Sequence, residues 1–216
     1  DYFVISTTKL IKYKLKIGGK NSDEKTLLFL LWNLFLQNNS DLEFDDLDFR
    51  EGQLPIIVNA LSRKDTLGLL PTGSGKSVCY QLSSILQPAI SFVVCPIKSL
   101  MYDQKADLDL SMFSRTNHIT SDDDGEDKEK ILREFRSGKY FFIFISPERF
   151  QIKTFRDYFI SVNKNFNIAY AVIDEVHCLS EWGHDFRTSY LTLADTIQKF
   201  CNNFTYIGLT ATASTN

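Results

Sequence analysis

Three features that would restrict the function of a chain at once are missing from this sequence. No charge of one sign predominates: the 216 residues carry a formal net charge of −3, so any contact with nucleic acid must come from local groups. The four cysteines are scattered without a CxxC pair, which argues against a zinc site or a disulfide framework. The longest apolar run, Leu27–Phe35, is interrupted at Asn33 and is too short to span a bilayer.

What the sequence does contain is an ordinary globular composition, with 44% hydrophobic and 24% charged residues. This balance is enough for one sizeable domain plus an appendage. We find no signal peptide and no repeat, and we expect no membrane partner. The cysteine pattern favours a cytoplasmic location, with nucleoid association if the protein is bacterial; a nuclear location fits the same features. The chain opens on Asp1 rather than methionine, which predicts a fragment or a processed product.

The N-terminal part shows two short patterns. Residues 9–17 alternate apolar and lysine side chains, which predicts an amphipathic strand with one basic face. An edge strand kept soluble by lysines is favoured here over a nucleic-acid contact. Residues 22–39 predict a buried helix capped by Ser22 or Asp23. We therefore assign residues 1–40 to an N-terminal appendage of strand plus helix, with no role that we can assign.

From residue 41 to residue 216 we predict an α/β domain. Short, continuous apolar runs alternate there with stretches of helical periodicity, of which residues 126–138 end at Gly138. Strands that are apolar throughout are buried on both faces, so the alternation predicts a mostly parallel sheet covered by helices on both sides. The predicted strands are Thr66–Leu70, Ile90–Cys95, Tyr140–Ile145, Ala169–Ile173 and Tyr206–Leu209.

A phosphate-binding loop is predicted between the first of these strands and the next helix, in the residues PTGSGKS. Gly73 and Gly75 allow a tight turn that aims several N–H groups at one point, and the helix that follows adds its positive end. Lys76 can reach the β- and γ-phosphates of a nucleotide, and the Ser77 hydroxyl can bind Mg²⁺.

The same loop departs from the strict pattern, which asks for glycine where this chain has Leu70. We therefore expect a variant cradle, and a glycine-rich turn without a ligand is the alternative. The cofactor-binding residues assigned to the cradle are Thr72, Gly73, Ser74, Gly75, Lys76 and Ser77.

A second half of the nucleotide site is predicted where the strand Ala169–Ile173 ends in Asp174 and Glu175. The carboxyl edge of a parallel sheet is where a ligand binds in this fold class. Asp174 would hold Mg²⁺, mostly through water, and Glu175 would orient and deprotonate the attacking water. We add His177 to the catalytic set, with a structural polar residue at the sheet edge as the alternative.

These letters resemble a known family. Asp174-Glu175-Val176-His177 is similar to the DExH box of superfamily 2 helicases, and CLSEWGHDFR (178–187) resembles the aromatic-rich loop that follows the box in RecQ-like DNA helicases. Four further stretches resemble motifs of that family, in its order: FREGQ (49–53) motif 0, CPIKSLMYDQ (95–104) motif Ia, SPERF (146–150) motif Ib and GLTATAS (208–214) motif III.

The resemblance implies a RecA-like lobe, the first of two in an ATP-dependent DNA helicase. Arg50 and Gln53 match the motif 0 residues that read the adenine edge, which suits a glutamine amide because it offers both a donor and an acceptor; a surface glutamine at a helix start is the alternative. Thr210 and Thr212 match the motif III positions that link the DExH box to the DNA side, although they could be only strand-end hydroxyls.

The aromatic-rich loop carries its own prediction, on Trp182, His184, Phe186 and Arg187. Flat rings stack on unpaired bases without sequence preference, each contributing about 1–3 kcal/mol. Because the loop starts four residues after Asp174, a base stacked there can sense the γ-phosphate. The alternative is that Trp182 and Phe186 fill a hydrophobic gap beside the sheet.

Further DNA contacts are predicted where other strands end, at Pro96, Lys98, Ser99, Ser146 and Arg149. Hydroxyls, N–H groups and cations there would bind the sugar-phosphate backbone without reading sequence. Ser146-Pro147 is also a plain helix start, with serine at the N-cap and proline at N1.

The expected ligands and partners are ATP, Mg²⁺, DNA that is single-stranded or has a single-stranded tail, and the second RecA-like lobe of the parent chain. By resemblance, unwinding would run 3′ to 5′. The second lobe would supply an arginine finger, which contributes about 10³–10⁵ in rate in related enzymes, so we expect the first lobe alone to hydrolyse ATP barely. An RNA helicase, a non-unwinding DNA translocase and a nucleotide-gated binding module are the alternatives.

Overall fold

Strands and helices alternate along the chain from Gln53 onward. The computed structural model describes residues 9–19, 22–36, 43–111, 114–120, 125–177, 193–199, 201 and 203–211. The strands are β1 (Thr66–Leu69), β2 (Ile90–Val94), β3 (Thr116–Ile119), β4 (Phe142–Ile145), β5 (Ile168–Ile173) and β6 (Thr205–Thr210). The helices are α1 (Glu24–Leu31), α2 (Gln53–Leu61), α3 (Lys76–Ile85), α4 (Lys98–Leu110), α5 (Gly125–Arg136) and α6 (Lys153–Asn165), with shorter helical segments at Trp32–Leu36, Phe44–Asp46, Pro147–Gln151 and 193–199.

The six strands form one sheet in the order β1-β6-β5-β2-β4-β3, and each neighbouring pair is parallel. Parallel strands bring their carboxyl ends to one edge. That edge carries the segments that follow β1, β2, β4, β5 and β6, which are the segments assigned to sites from the sequence. The predicted α/β fold is confirmed.

β2 and β4 are buried at every position because hydrophobic side chains pack against both faces of the sheet. On one face Val93, Phe142 and Phe144 pack with residues of α1, α2, α3 and α4. On the other face Phe92 and Ile143 pack with residues of α5 and α6. The alternation between the two faces within one strand is the period of two that every strand has.

The five predicted strands are confirmed, with ends that differ by at most two residues. Gly138 follows α5 with φ +76°, a left-handed conformation that glycine adopts without strain, so the predicted stop of this helix is confirmed. β3 was not predicted. Its residues Thr-Asn-His-Ile lie at the edge of the sheet, paired with β4 only.

The prediction of a strand over residues 9–17 is wrong. This segment has no strand structure, because its backbone bonds to the end of a helix and to side chains rather than to another strand. The Tyr13 N–H donates to the Leu61 carbonyl (2.9 Å) at the end of α2, and the Ile11 N–H and carbonyl bond to the two ends of the Gln87 amide (3.0 and 2.8 Å). The alternation itself is real: Tyr13 and Leu15 pack against the core.

The predicted N-terminal helix, residues 22–39, is confirmed over residues 24–36, as α1 and the short helical segment after it, while residues 37–39 lie outside the described residues. α1 buries Leu27 and Leu31 in the same cluster as the sheet. Asp23 is its N-cap residue, but the Asp23 carboxylate accepts the N–H of Lys16 (2.7 Å), while Ser22 Oγ accepts the N–H of Glu24 (3.1 Å). The division of the chain at residue 40 stays a prediction. In the part of the chain that the structure describes, no helix has the length and apolarity needed to cross a membrane.

Candidate nucleotide site at the carboxyl edge of the sheet

The loop after β1 has the backbone geometry of a cradle. Gly73 and Gly75 have φ values of +77° and +74°, which residues other than glycine rarely adopt. The Ser74 N–H donates to the Pro71 carbonyl (3.1 Å) and closes the turn. Gly75 is the N-cap of α3, so the loop leads directly into the positive end of a helix.

The start of α3 leaves donors available to a ligand. The N–H groups of Lys76 and Ser77 lie in the first turn, where no helix carbonyl can accept them. The Ser74 hydroxyl is buried and has no hydrogen-bond partner among the described residues. Because a buried hydroxyl without a partner costs free energy, these groups together fit an oxygen-rich anion such as a phosphate.

Arg50 and Gln53 stabilise this loop by hydrogen bonds to its backbone carbonyls. Gln53 is only 4% exposed, and its Nε2 donates to the carbonyls of Ser74 (2.8 Å) and Gly75 (3.1 Å). Its Oε1 accepts the N–H of Arg50 (3.0 Å), while the Arg50 guanidinium donates to the Gly73 carbonyl. Both residues therefore lie at the cradle, and their adenine-reading role stays a prediction.

Asp174 follows β5 and is buried, with 5% of its surface exposed. Its N–H donates to the Val94 carbonyl (2.9 Å), and its Oδ1 accepts the N–H of Glu175 (3.0 Å). Burial, and then the carboxylate of Glu175, raise the pKa of Asp174 above its usual range, while Lys76 opposes this rise. A cation bound there would favour the charged form.

The cradle and the acidic strand end meet through Lys76. Its Nζ lies 2.6 Å from Glu175 Oε1, and both side chains are mostly buried. Glu175 has φ +51°, an uncommon conformation for a residue other than glycine. The two halves predicted from the sequence are thus in direct contact at one edge of the sheet.

His177 connects this pair to β6. Its Nδ1 lies 2.8 Å from Thr210 Oγ1 and 3.1 Å from Glu175 Oε2. Thr210 is the last residue of β6, and the neighbouring Leu209 carbonyl accepts the N–H of Val176 (2.9 Å). Lys76, Glu175, His177 and Thr210 therefore form one polar chain from α3 to β6.

The side chains at this edge also indicate how a metal ion could be bound. Within the described ranges, no group of three or more His, Cys, Asp or Glu side chains could hold one. Ser77 and Asp174 offer a hydroxyl and a carboxylate, which are hard oxygen ligands of the kind that Mg²⁺ takes together with substrate phosphates. The residues present fit an ion shared with a nucleotide better than one held by the protein alone.

A family model described as DEAD/DEAH box helicase matches residues 50–216. The chain belongs to the DEAD/DEAH box helicase family. Helicases of this family use ATP, in agreement with the contact between the cradle and the Asp-Glu pair.

Individual relatives indicate which kind of helicase the chain resembles. The chain is 36% identical over 197 residues to the RecQ-like DNA helicase blm-1 of Caenorhabditis elegans, covering 89% of this chain and 20% of that protein. It is 38% identical over 166 residues to the probable ATP-dependent DNA helicase RecS of Bacillus subtilis, covering 77% and 32%. The resemblance to RecQ-like helicases is confirmed, and the chain spans a third or less of the length of these relatives.

Solved structures support the fold. The helicase MrfA bound to DNA and AMPPNP matches with a TM-score of 0.62 at 18% identity, over 76% of this chain and 24% of that one. The Hef helicase domain of Pyrococcus furiosus matches with a TM-score of 0.57 at 18% identity, over 77% and 33%. The predicted RecA-like fold is confirmed.

Of the residues predicted to contact DNA, those that the structure describes lie at the carboxyl edge of the sheet but differ in exposure. Lys98 begins α4, directly after Pro96 and Ile97, and Ser99 is the next residue of that helix. Ser146 is the N-cap residue before Pro147, yet its buried hydroxyl makes no hydrogen bond within the described part of the chain. Arg149 is 4% exposed, with its guanidinium 5.5 Å from the centre of the Phe155 ring. This burial favours a packing role for Arg149 over a direct phosphate contact.

The remaining candidates, Trp182, His184, Phe186, Arg187 and Thr212, lie outside the described residues.

Two contacts were missed in the sequence. The bonds from Gln53 to the cradle carbonyls depend on how α2 packs beside α3, which no local pattern reports. Gln104, whose Nε2 lies 3.5 Å from Asp174 Oδ2, stands at the end of the stretch that resembles motif Ia. The position of Gln104 within this motif was the feature from which its role at the site could have been predicted.

Proposed function

We propose that this chain is the ATP-binding lobe of a RecQ-like ATP-dependent DNA helicase, which couples ATP hydrolysis to translocation on single-stranded DNA and to duplex unwinding in the 3′ to 5′ direction. The observation that carries the proposal is the 2.6 Å contact between Lys76 and Glu175 beside the buried Asp174. The names of the relatives, which are DNA helicases, support DNA as the substrate.

The contacts suggest how the residues act when ATP binds. The triphosphate would attract the Lys76 ammonium away from Glu175, because phosphate oxygens carry more negative charge than one carboxylate. Glu175 would then be released to orient the attacking water and to accept its proton. His177, 3.1 Å from Glu175 Oε2, would hold this carboxylate relative to β6.

Ser77 and Asp174 would hold a Mg²⁺ ion, whose charge would stabilise the phosphates during transfer. The second RecA-like lobe of the parent protein would complete the site with an arginine, so we expect the isolated lobe to hydrolyse ATP barely. We propose that the protein binds DNA that is single-stranded or has a single-stranded tail. The proposal includes a cytoplasmic location, with nucleoid association if the protein is bacterial; a nuclear location fits the same features.

The test is ATP hydrolysis by the full-length protein with single-stranded DNA, duplex DNA or RNA. We expect stimulation by single-stranded DNA, unwinding of a duplex with a single-stranded tail, and a loss of about 10²-fold or more in hydrolysis for Lys76→Ala. Lys64→Ala, an exposed lysine at the other end of β1, is the control. Stimulation by RNA alone would favour an RNA helicase, hydrolysis without unwinding a translocase, and DNA binding without turnover a nucleotide-gated module; each of these results overturns the proposal.

A further inference from the structure

A polar chain separate from the Lys76–Glu175 pair approaches Asp174 from helix α4. Gln104 on α4 lies between Tyr80 on α3 and the Asp174 carboxylate. Tyr80 is fully buried, and its hydroxyl donates to Gln104 Oε1. The three side chains come from three different elements, so this contact is a product of the tertiary fold.

The direction of these bonds fixes the orientation of the amide. A glutamine amide has one acceptor end and one donor end. Because the Tyr80 hydroxyl donates to the oxygen, the Nε2 donor must face the other way, toward Asp174 Oδ2 at 3.5 Å. Burial raises the pKa of Tyr80 well above its usual value, so this hydroxyl stays protonated and is able to donate.

The amide completes the set of donors around the carboxylate. Asp174 Oδ1 already accepts the N–H of Glu175 (3.0 Å). Gln104 Nε2 faces Asp174 Oδ2, so each carboxylate oxygen has one donor. Two donors, one on each oxygen, restrict rotation of the carboxylate plane. The distance of 3.5 Å is at the outer limit of a hydrogen bond, so a small movement of α4 would strengthen or break it.

We propose that Gln104 is a positioning residue, which, oriented by Tyr80, holds the Asp174 carboxylate in place for the magnesium ion that accompanies ATP. The inference rests on the proposed function. Groups that orient metal-binding side chains typically contribute about 10–100-fold in metal affinity. At 3.5 Å the contact is weak, so we expect the lower end of this range.

The experiment compares variants of the full-length protein at a series of Mg²⁺ concentrations. Gln104→Met removes the donor and nearly preserves the volume, and Tyr80→Phe removes only the orienting hydroxyl. Asp103→Asn, an exposed neighbour on the same helix, is the matched control. The readouts are the Mg²⁺ concentration for half-maximal hydrolysis and the binding of a fluorescent ATP analogue with Mg²⁺ or with EDTA.

We expect Gln104→Met to raise the half-saturating Mg²⁺ concentration about 10-fold and Tyr80→Phe to raise it less. Binding of the analogue in EDTA should match that of the unaltered protein. An unchanged Mg²⁺ dependence overturns the inference, and so does an equal loss of binding with and without Mg²⁺, because that result indicates a merely structural role.

Lys76→Ala, measured in parallel, separates the two levels of the argument. If Lys76→Ala abolishes hydrolysis while Gln104→Met and Tyr80→Phe behave like Asp103→Asn, the proposed function stands and this inference fails. If Lys76→Ala also leaves hydrolysis unchanged, the proposed function itself fails. Should Gln104→Met not fold, Tyr80→Phe carries the same test.

Discussion

The two edges of the sheet use polar groups in different ways. At the amino edge, side chains bond to backbone carbonyls far away in the sequence: Arg63 donates to Ala169 (2.7 Å) and to Asn203, and Tyr170 donates to Ala60 (3.0 Å). At the carboxyl edge, the central contact joins two ionisable side chains, Lys76 and Glu175.

This difference separates fixed contacts from replaceable ones. A carbonyl inside the fold cannot be displaced by a solute without unfolding its surroundings. A lysine paired with a carboxylate can exchange its partner for a phosphate while the backbone stays in place. We therefore expect loss of the Arg63 and Tyr170 contacts to affect stability and changes to the Lys76–Glu175 pair to affect turnover.

The largest expected effect is that of Glu175→Gln on hydrolysis. The amide keeps the shape of the side chain but cannot accept a proton from water, so turnover by the full-length protein should fall by about 10²–10⁴-fold. Nucleotide binding should be retained, because the cradle is intact. The measurement is steady-state ATPase with single-stranded DNA, alongside analogue binding. Turnover within a few-fold of normal would remove Glu175 from the catalytic set.

The next effect is expected at the other edge, for Arg63→Ala. This change removes two charged hydrogen bonds that tie the start of β1 to β5 and to the segment before β6. The free energy of unfolding should fall by about 2 kcal/mol, which is typical of bonds made by a charged donor. Urea unfolding of the chain measures it.

Lys64→Ala is the control for Arg63→Ala, because Lys64 is exposed and adjacent. Hydrolysis by the full-length Arg63→Ala protein should be unchanged well below its melting temperature. A loss of turnover without a loss of stability would contradict the contrast between the two edges.

The same contrast explains what the sequence could predict. β2 and β4 are apolar throughout because both of their faces are buried, so their strand character is visible in the residues themselves. The cradle was equally visible, since Gly73 and Gly75 are required by positive φ values that few other residues adopt. Features set by local chemistry were therefore found.

Features set by tertiary placement were not. β3 has three polar residues, Thr116, Asn117 and His118, and is a strand only because β4 lies beside it. Residues 9–17 alternate because one side packs against the core, but a period of two does not say whether the partner is a strand or, as here, the ends of α2 and α3. The amides of Gln53 and Gln104 find partners only after the helices have packed.

The smallest expected effect tests the N-terminal segment through Tyr13→Phe. The Tyr13 hydroxyl donates to the Leu86 carbonyl (2.6 Å), while its ring packs against the core. Phenylalanine keeps the ring and removes one neutral hydrogen bond, so the free energy of unfolding should fall by about 1 kcal/mol. Tyr158→Phe, at a partly buried tyrosine on α6, is the control.

Hydrogen exchange decides what this loss means. The Tyr13 N–H is bonded to the Leu61 carbonyl, so its protection reports whether the segment opens separately from the sheet. If this amide exchanges only when the core amides do, the segment is an integral part of the lobe. If it exchanges freely in the unaltered protein and Tyr13→Phe has no more effect than Tyr158→Phe, residues 9–17 form a separable appendage, and the fixed contacts of the amino edge begin only at Arg63.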